Sequence, residues 1–396
     1  MSISAGSELR AATRATYVAF VGAGFGFASW ASRIPQVKER LGLDPSELGL
    51  VLLAIAGGSV LALPLSGPVV TRYGSRRTVA ATAVLAGAGL LVVATGYRVG
   101  VAPVVVGLFA FGIGAGSWDV AMNVQGAAVE RRLGRAIMPR FHAGFSLGTV
   151  GGALGGAAMI ALGVSVTVDL LIVGLVVGVG VPVAVQRFIP DQDAGEAPQA
   201  PGVDPARGSL AAWREPRTLL IGVFVLAFAF AEGSGNDWIG VAVIDGHGAA
   251  PAVGTLTLAA FLTAMTTVRW LGPWLLDNYG RVPVVRGLIV VAIIGLVVFA
   301  FGPSTPVAFA GAVLWGSGVS LGFPVGMSAG ADDPARAAPR VSVISTIGYC
   351  AFLCGPPLIG FLGQHFTVLH ALTVVIVLLA LAGAIAGAVR QLRPGL

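Results

Sequence analysis

The chain has little charge, almost no cysteine and a single lysine. Only 11% of its 396 residues are charged, where a soluble domain carries about a quarter. With a mean hydropathy of +0.89, that scarcity excludes an ordinary water-soluble fold and leaves a polytopic membrane protein. The two cysteines, Cys350 and Cys354, lie four residues apart in an apolar run. They are too few for a disulfide framework or a metal site, and they read as small packing residues on one helix face. No metal-ligand cluster, phosphate-binding loop or nucleophile elbow is present. Neither an enzyme nor a bound cofactor or metal is therefore expected. The formal net charge is +6, but the arginines stand in short segments between apolar runs. No basic patch with interleaved aromatics accompanies them, which excludes nucleic acid as a partner.

Apolar residues make up 56% of the chain, and 58 residues are glycine. Small residues at this level suit closely packed membrane helices. A span needs about 20 mostly apolar residues. Twelve such runs can be read, at 13–34, 46–70, 77–97, 100–124, 138–162, 166–187, 217–241, 251–275, 283–302, 305–328, 340–363 and 367–390. The first follows Arg10 and Arg14 and has the look of a signal peptide. With so many spans behind it, a retained first helix is expected instead. The fold class is thus all-α, twelve transmembrane helices in two six-helix bundles.

Arginine sets the orientation. Alternate loops hold Arg72, Arg76 and Arg77, then Arg131, Arg132, Arg135 and Arg140, then Arg281 and Arg286, then Arg336 and Arg340. The other loops keep only Arg33, Lys38, Arg40 and Arg98. Both termini are expected in the cytoplasm, with the chain in a bacterial-type inner membrane, as a monomer. The longest polar stretch, 188–215, is rich in Pro, Gly, Ala and acids and reads as a flexible linker. It separates an N-terminal bundle, 1–187, from a C-terminal bundle, 216–396.

The bundles resemble each other. "GPVVTRYGSRR", Gly67 to Arg77, follows the second span, and "GPWLLDNYGRV", Gly272 to Val282, follows the eighth. Trp30 in "FGFASWA" aligns with Trp238 in "SGNDWIG". On these residues the chain resembles the major facilitator superfamily over essentially its whole length. That resemblance implies two parallel six-helix repeats with a solute site near the membrane midplane. The family's motif after the second helix runs Gly-x-x-x-Asp-Arg-x-Gly-Arg-Arg. Gly67, Arg72, Gly74, Arg76 and Arg77 match it, whereas Thr71 replaces the Asp and Ser75 a basic residue. The second copy keeps Asp277, Gly280 and Arg281. The resemblance implies a charge latch at these gating positions. A tight glycine turn and a topology signal are the plainer reading. "WASRIP" at 30–35, "DVAMNVQG" at 119–126 and "HAGFSLG" at 142–148 further resemble the YbjJ-type branch, distantly similar to fucose permeases.

Charge at bilayer depth is costly and usually faces a cavity. Asp119 and Asn123 share a face of span 4, with Trp118 and Gln125 on a neighbouring one. Asp119 reads either as a protonatable carboxylate lining a cavity or as the partner of a loop arginine such as Arg131. Glu232 in span 7 is the second proton-coupling candidate, and Asn236 follows one turn on. Asp237 reads as a solvated helix end. Arg269 in span 8 either snorkels or balances Glu232. Ser342, Ser345, Thr346 and Tyr349 form one stripe on span 11. It suits a polar solute, or equally hydrogen bonds within and between helices. His142 begins a similar face of span 5. Arg33, at the outer end of span 1, reads as a residue that attracts an anionic solute or, the plainer reading, one that sits among lipid headgroups. Trp30 reads as an interface aromatic or a gate.

The expected function is secondary transport of a small polar solute, coupled to protons. Asp119 and Glu232 would carry the proton. Trp30, Asn123, His142, Asn236, Trp238, Ser345 and Tyr349 would contact the solute. Efflux of drugs or lipids is the alternative, suggested by "GFSLGTVGGA", Gly144 to Ala153. That stretch has the glycines of the superfamily's antiporter motif with Thr149 in place of its proline.

Overall fold

A computed structural model of the protein describes residues 3–134, 137–190, 211–333 and 336–391. Most of the expected linker, 191–210, lies outside the described residues, as does Arg135. The described chain is helical, in twelve segments. They are α1 (Ile3–Leu41), α2 (Pro45–Tyr73), α3 (Ser75–Gly96), α4 (Val101–Leu133), α5 (Met138–Ala161), α6 (Val166–Arg187), α7 (Pro216–His247), α8 (Pro251–Tyr279), α9 (Arg281–Phe301), α10 (Thr305–Gly330), α11 (Ala337–His365) and α12 (Val368–Val389). Eleven of them are long and apolar enough to cross a membrane. α1, with 39 residues, is longer but more polar. Helices dominate because hydrocarbon offers backbone N–H and C=O groups no partner except each other.

The ends are closed by side chains the sequence supplies locally. Asp44 and Glu47 form a capping box on α2: the Glu47 amide donates to Asp44 Oδ1 at 2.8 Å, and the Asp44 amide to Glu47 Oε2 at 3.0 Å. Glu130, at the end of α4, accepts the Ile137 and Met138 amides at 2.7 Å each and so caps α5. Gly74 and Gly280 turn the chain from α2 into α3 and from α8 into α9 with φ of 81° and 77°. A side chain is strained there, so the tight-turn reading of both motif copies has a backbone cause.

The chain forms two compact units, residues 1–197 with 250–256, and 198–249 with 257–396. In the first, α1 packs on α5, α3 on α4 and α2 on α4. In the second, α7 packs on α11 and α9 on α10, so the two sequence repeats build corresponding helix pairs. The α1–α5 contact runs along Gly144, Gly148, Gly152 and Gly156. A Cβ on Gly148 would meet the Val21 carbonyl, and one on Gly152 would lie 2.6 Å from the Phe25 carbonyl. These glycines therefore let two backbones touch. α10 is broken at Ser320–Leu321, which leaves backbone carbonyls in need of partners.

Candidate functional site

In the first unit α4 carries the polar stretch that the sequence singles out. Asn123 Nδ2 donates to the Asp119 carbonyl at 2.8 Å and to Asp119 Oδ1 at 3.3 Å. Asn123 is the one hydrogen-bond partner of the half-buried Asp119 carboxylate among the described residues. Arg131 is not its partner: twelve residues further along the same helix, it lies about 18 Å away at 1.5 Å per residue. Gln125 has a different job. Its amide, oriented to satisfy both ends, accepts the Ile189 amide at 3.0 Å. It donates to the Ile189 carbonyl and to Ser75 Oγ, each at 3.2 Å. Gln125 thus ties the chain leaving α6 to the start of α3, and the motif position where Ser75 replaces a basic residue is part of that tie. Trp118 is buried against Gly22 of α1. Of the polar stretch, Asp119 and Asn123 are half-buried and bond only to each other among the described residues, while Trp118 Nε1 is buried without a partner. His142 is exposed and stacks edge-on against Phe20 at 5.2 Å.

Arg33 does not sit among headgroups. It is 2% exposed, and its Nε donates to Asp169 Oδ2 of α6 at 2.6 Å. The correction follows from Asp169, an acid at the start of span 6 that reads from sequence as an ordinary first-turn residue. An arginine beside a reachable buried carboxylate gains more by pairing than by snorkelling. Trp30 is likewise no interface aromatic, being 1% exposed with its Nε1 unpartnered.

In the second unit Glu232 of α7 is ion-paired. Arg269 Nη2 of α8 donates to Glu232 Oε2 at 2.7 Å, while Arg269 Nε donates to the Ser320 carbonyl at 3.0 Å. The break in α10 thus explains an arginine inside a span: it fills a carbonyl that the interrupted helix leaves free. Five residues on from Glu232, Asp237 is not a solvated helix end. α7 continues ten residues past it, and Asp237 is half-buried with no hydrogen-bond or ion-pair partner among the described residues. Around it, Ser234 Oγ, Asn236 Oδ1 and Trp238 Nε1 are buried without partners. Three orphaned buried polar atoms and one unpaired, half-buried carboxylate thus fall within five residues, and orphaned buried groups are costly. On α11, Ser345 Oγ reaches Met327 Sδ at 3.8 Å, while Thr346 bonds back to the Ser342 carbonyl at 2.8 Å. The hydroxyl stripe is therefore partly self-satisfied. Tyr349 lies 6.1 Å from Phe352, ring to ring.

The two motif copies differ in charge pairing. Arg72, Arg76 and Arg77 are exposed, and the Arg72 guanidinium lies 5.4 Å from the centre of the Tyr73 ring. Gly67 faces open space. Asp277 is also exposed, whereas Arg281 Nη1 donates to Asp332 Oδ1 at 2.8 Å and its Nη2 to Ser328 Oγ at 2.9 Å. Asp332 takes a second arginine, Arg217, at 3.0 Å. Beside it Glu215, the residue before α7, accepts Arg340 Nε at 2.6 Å and Arg336 Nη1 at 3.3 Å. The Arg340 hydrogen bond holds the Glu215 carboxyl below the usual range against a smaller opposing effect of burial. The motif copy keeps Asp277, but the acid that Arg281 pairs with is Asp332, fifty-one residues further on than Arg281.

No group of three or more His, Cys, Asp or Glu side chains able to hold a metal occurs among the described residues. A family model described as Major Facilitator Superfamily matches residues 16–350. An uncharacterised MFS-type transporter of Yersinia pestis is 33% identical over 384 residues, covering 95% of each chain. Among solved structures, the nucleoside transporter NupG superposes with a TM-score of 0.74 at 14% identity, over 95% of this chain and 97% of its own. The fucose:proton symporter FucP of E. coli does so with a TM-score of 0.62 at 14% identity, over 96% and 98%. At that identity the two structures share the fold.

Proposed function

The chain belongs to the major facilitator superfamily, a family of membrane transporters, and on that premise we propose that it moves a small polar solute by proton-coupled alternating access. The observation that carries the coupling reading is Asp119, a carboxylate within a membrane-length helix whose one partner is a neutral amide. A bare charge at that depth costs at least about 2.5–3.5 kcal/mol. Taking up a proton removes that cost, so loading the carboxylate changes which conformation is favoured. Glu232 is the second coupling acid. Its protonation would release Arg269, which stays anchored to the Ser320 carbonyl.

Each unit offers the solute its own polar groups: Asn123 and Trp30 with His142 in the first, Asn236, Trp238, Ser345 and Tyr349 in the second. Asn236 Oδ1 and Trp238 Nε1, which lack partners, lend this choice the most support. A polar solute is favoured over an apolar drug or lipid because the orphaned groups on α7 demand hydrogen-bonding partners. In "GFSLGTVGGA", which suggested efflux, Gly144, Gly148 and Gly152 serve the α1–α5 contact. The arginine distribution supports both termini in the cytoplasm of a bacterial-type inner membrane.

Proteoliposomes offered sugars, nucleosides and amino acids, with and without an inward proton gradient, test this reading. Asp119→Asn and Glu232→Gln should each abolish gradient-driven accumulation while solute exchange at equal pH persists. Full gradient dependence in both variants would overturn the coupling assignment.

A further inference from the structure

At the end of the first unit opposite the Arg72–Arg77 turn lies a cavity of about 560 Å³ that the transport reading does not use. One face of α1 lines it with Arg33, Gln36, Glu39 and Arg40, and Tyr97 and the turn at 163–166 complete the wall. These four α1 residues fall at helical spacings that bring them to one side. Two of them carry buried polar atoms with nothing to bond. Arg33 Nη2 has no partner although Nε of the same guanidinium is held by Asp169, and both Gln36 Nε2 and Gln36 Oε1 are unpartnered. Glu39 and Arg40 are exposed and unpaired among the described residues.

We propose that this cavity is a binding site for a small zwitterion of the amino-carboxylate class. The orphaned groups come in both kinds. Arg33 Nη2 and Gln36 Nε2 are donors suited to a carboxylate. Gln36 Oε1 and the Glu39 carboxylate are acceptors suited to an ammonium. The charges balance as well. Arg33 is offset by Asp169 and Arg40 by Glu39, so a ligand with a net charge gains no Coulomb attraction from the set, whereas one bearing both signs pairs with both. A buried donor or acceptor without a partner is costly to keep. The Arg33–Asp169 bond fixes the guanidinium of this cavity-lining residue and leaves its Nη2 without a partner. This site is independent of the coupling acids, and its test involves no transport.

Purified full-length protein would be titrated with α-, β- and γ-amino acids, and with the amines and carboxylic acids of matching carbon skeleton. Thermal shift and calorimetry would report binding. Zwitterions should raise the melting temperature, and the matching amines and acids should not. Gln36→Leu and Glu39→Ala should each weaken binding about tenfold or more. Gln36→Leu should also leave the ligand-free protein at least as stable, because it removes two unsatisfied polar groups. A residue that only supports the fold would instead lower the ligand-free melting temperature. The proposal is overturned if no zwitterion binds, if the plain acids or amines bind as well as the zwitterions, or if both variants keep wild-type affinity.

Discussion

Arg33 and Asp169 show how much one residue's surroundings decide. Both are nearly solvent-free and share a 2.6 Å hydrogen bond. Removing one partner of such a pair leaves an uncompensated buried charge, which costs about 3–5 kcal/mol. Asp169→Ala should therefore lower the melting temperature of the detergent-solubilised protein sharply, while an Arg33→Leu, Asp169→Leu double variant should recover much of the loss. An additive double variant in the same melting assay would show that the pair is not a unit. The same reasoning reached Asp119 and Glu232 from the sequence, because a lone acid in an apolar run stands out. It did not reach Asp169, which sits in the first turn of a span and looks like a helix-end residue. Nor did it reach Asp237, whose spacing from the expected end of span 7 suggested water when α7 in fact runs on to His247.

Among whole helices, the α1–α5 contact rests on the four-residue glycine repeat of α5. Gly148→Val would drive a side chain into the Val21 carbonyl, whereas Gly151, one turn on and exposed, has nothing within 4 Å of an added Cβ. Gly148→Val should cut the yield of folded protein and its melting temperature, and Gly151→Ala should leave both unchanged within about 0.5 kcal/mol. Comparable losses from the two variants in fluorescence-detected gel filtration would show that the contact is not tight. Membrane helices depend on such contacts because lipid removes the hydrophobic drive for one helix to prefer another. The glycine pattern was visible in the sequence, but its use was not. Read as a string it matched an antiporter motif, and only the packing showed which helix it meets.

Across the molecule the two repeats pair their helices alike and pair their charges differently. In the second unit Asp332 gathers Arg217 and Arg281, while Glu215 gathers Arg336 and Arg340. Asp332→Asn should weaken the hold on both Arg217 and Arg281. Limited proteolysis near 333–340 should then run faster than in the wild type, and an unchanged rate would mean that Asp332 does not secure this end. Glu215 gives the network a pH dependence of known sign. Its folded pKa is depressed, led by the Arg340 hydrogen bond. Its contribution is thus fully present above the ordinary glutamate value of about 4.3 and is lost as pH falls through the folded value. The melting-temperature gap between wild type and Glu215→Gln should be constant near neutral pH and close below about pH 4. For a partly exposed pair its size should be about 1 kcal/mol or less. A gap that widened on acidification would reverse the assignment.

The sequence by itself determined the twelve apolar segments, the doubling of a six-helix pattern and the family. Each rests on composition and period, and hydrocarbon allows a chain this apolar few alternatives to helices. The sequence also isolated Asp119, Asn123 and Glu232, because polarity inside an apolar run needs no partner to be noticed. Only the tertiary structure decided the pairings: Arg33 with Asp169, Arg269 with Glu232 and the broken α10, Arg281 with Asp332, Gln125 with Ile189 and Ser75. Every one of these joins residues far apart in the sequence, and which of them meet is set by glycine contacts and helix breaks spread along the chain. No local spacing encodes that choice.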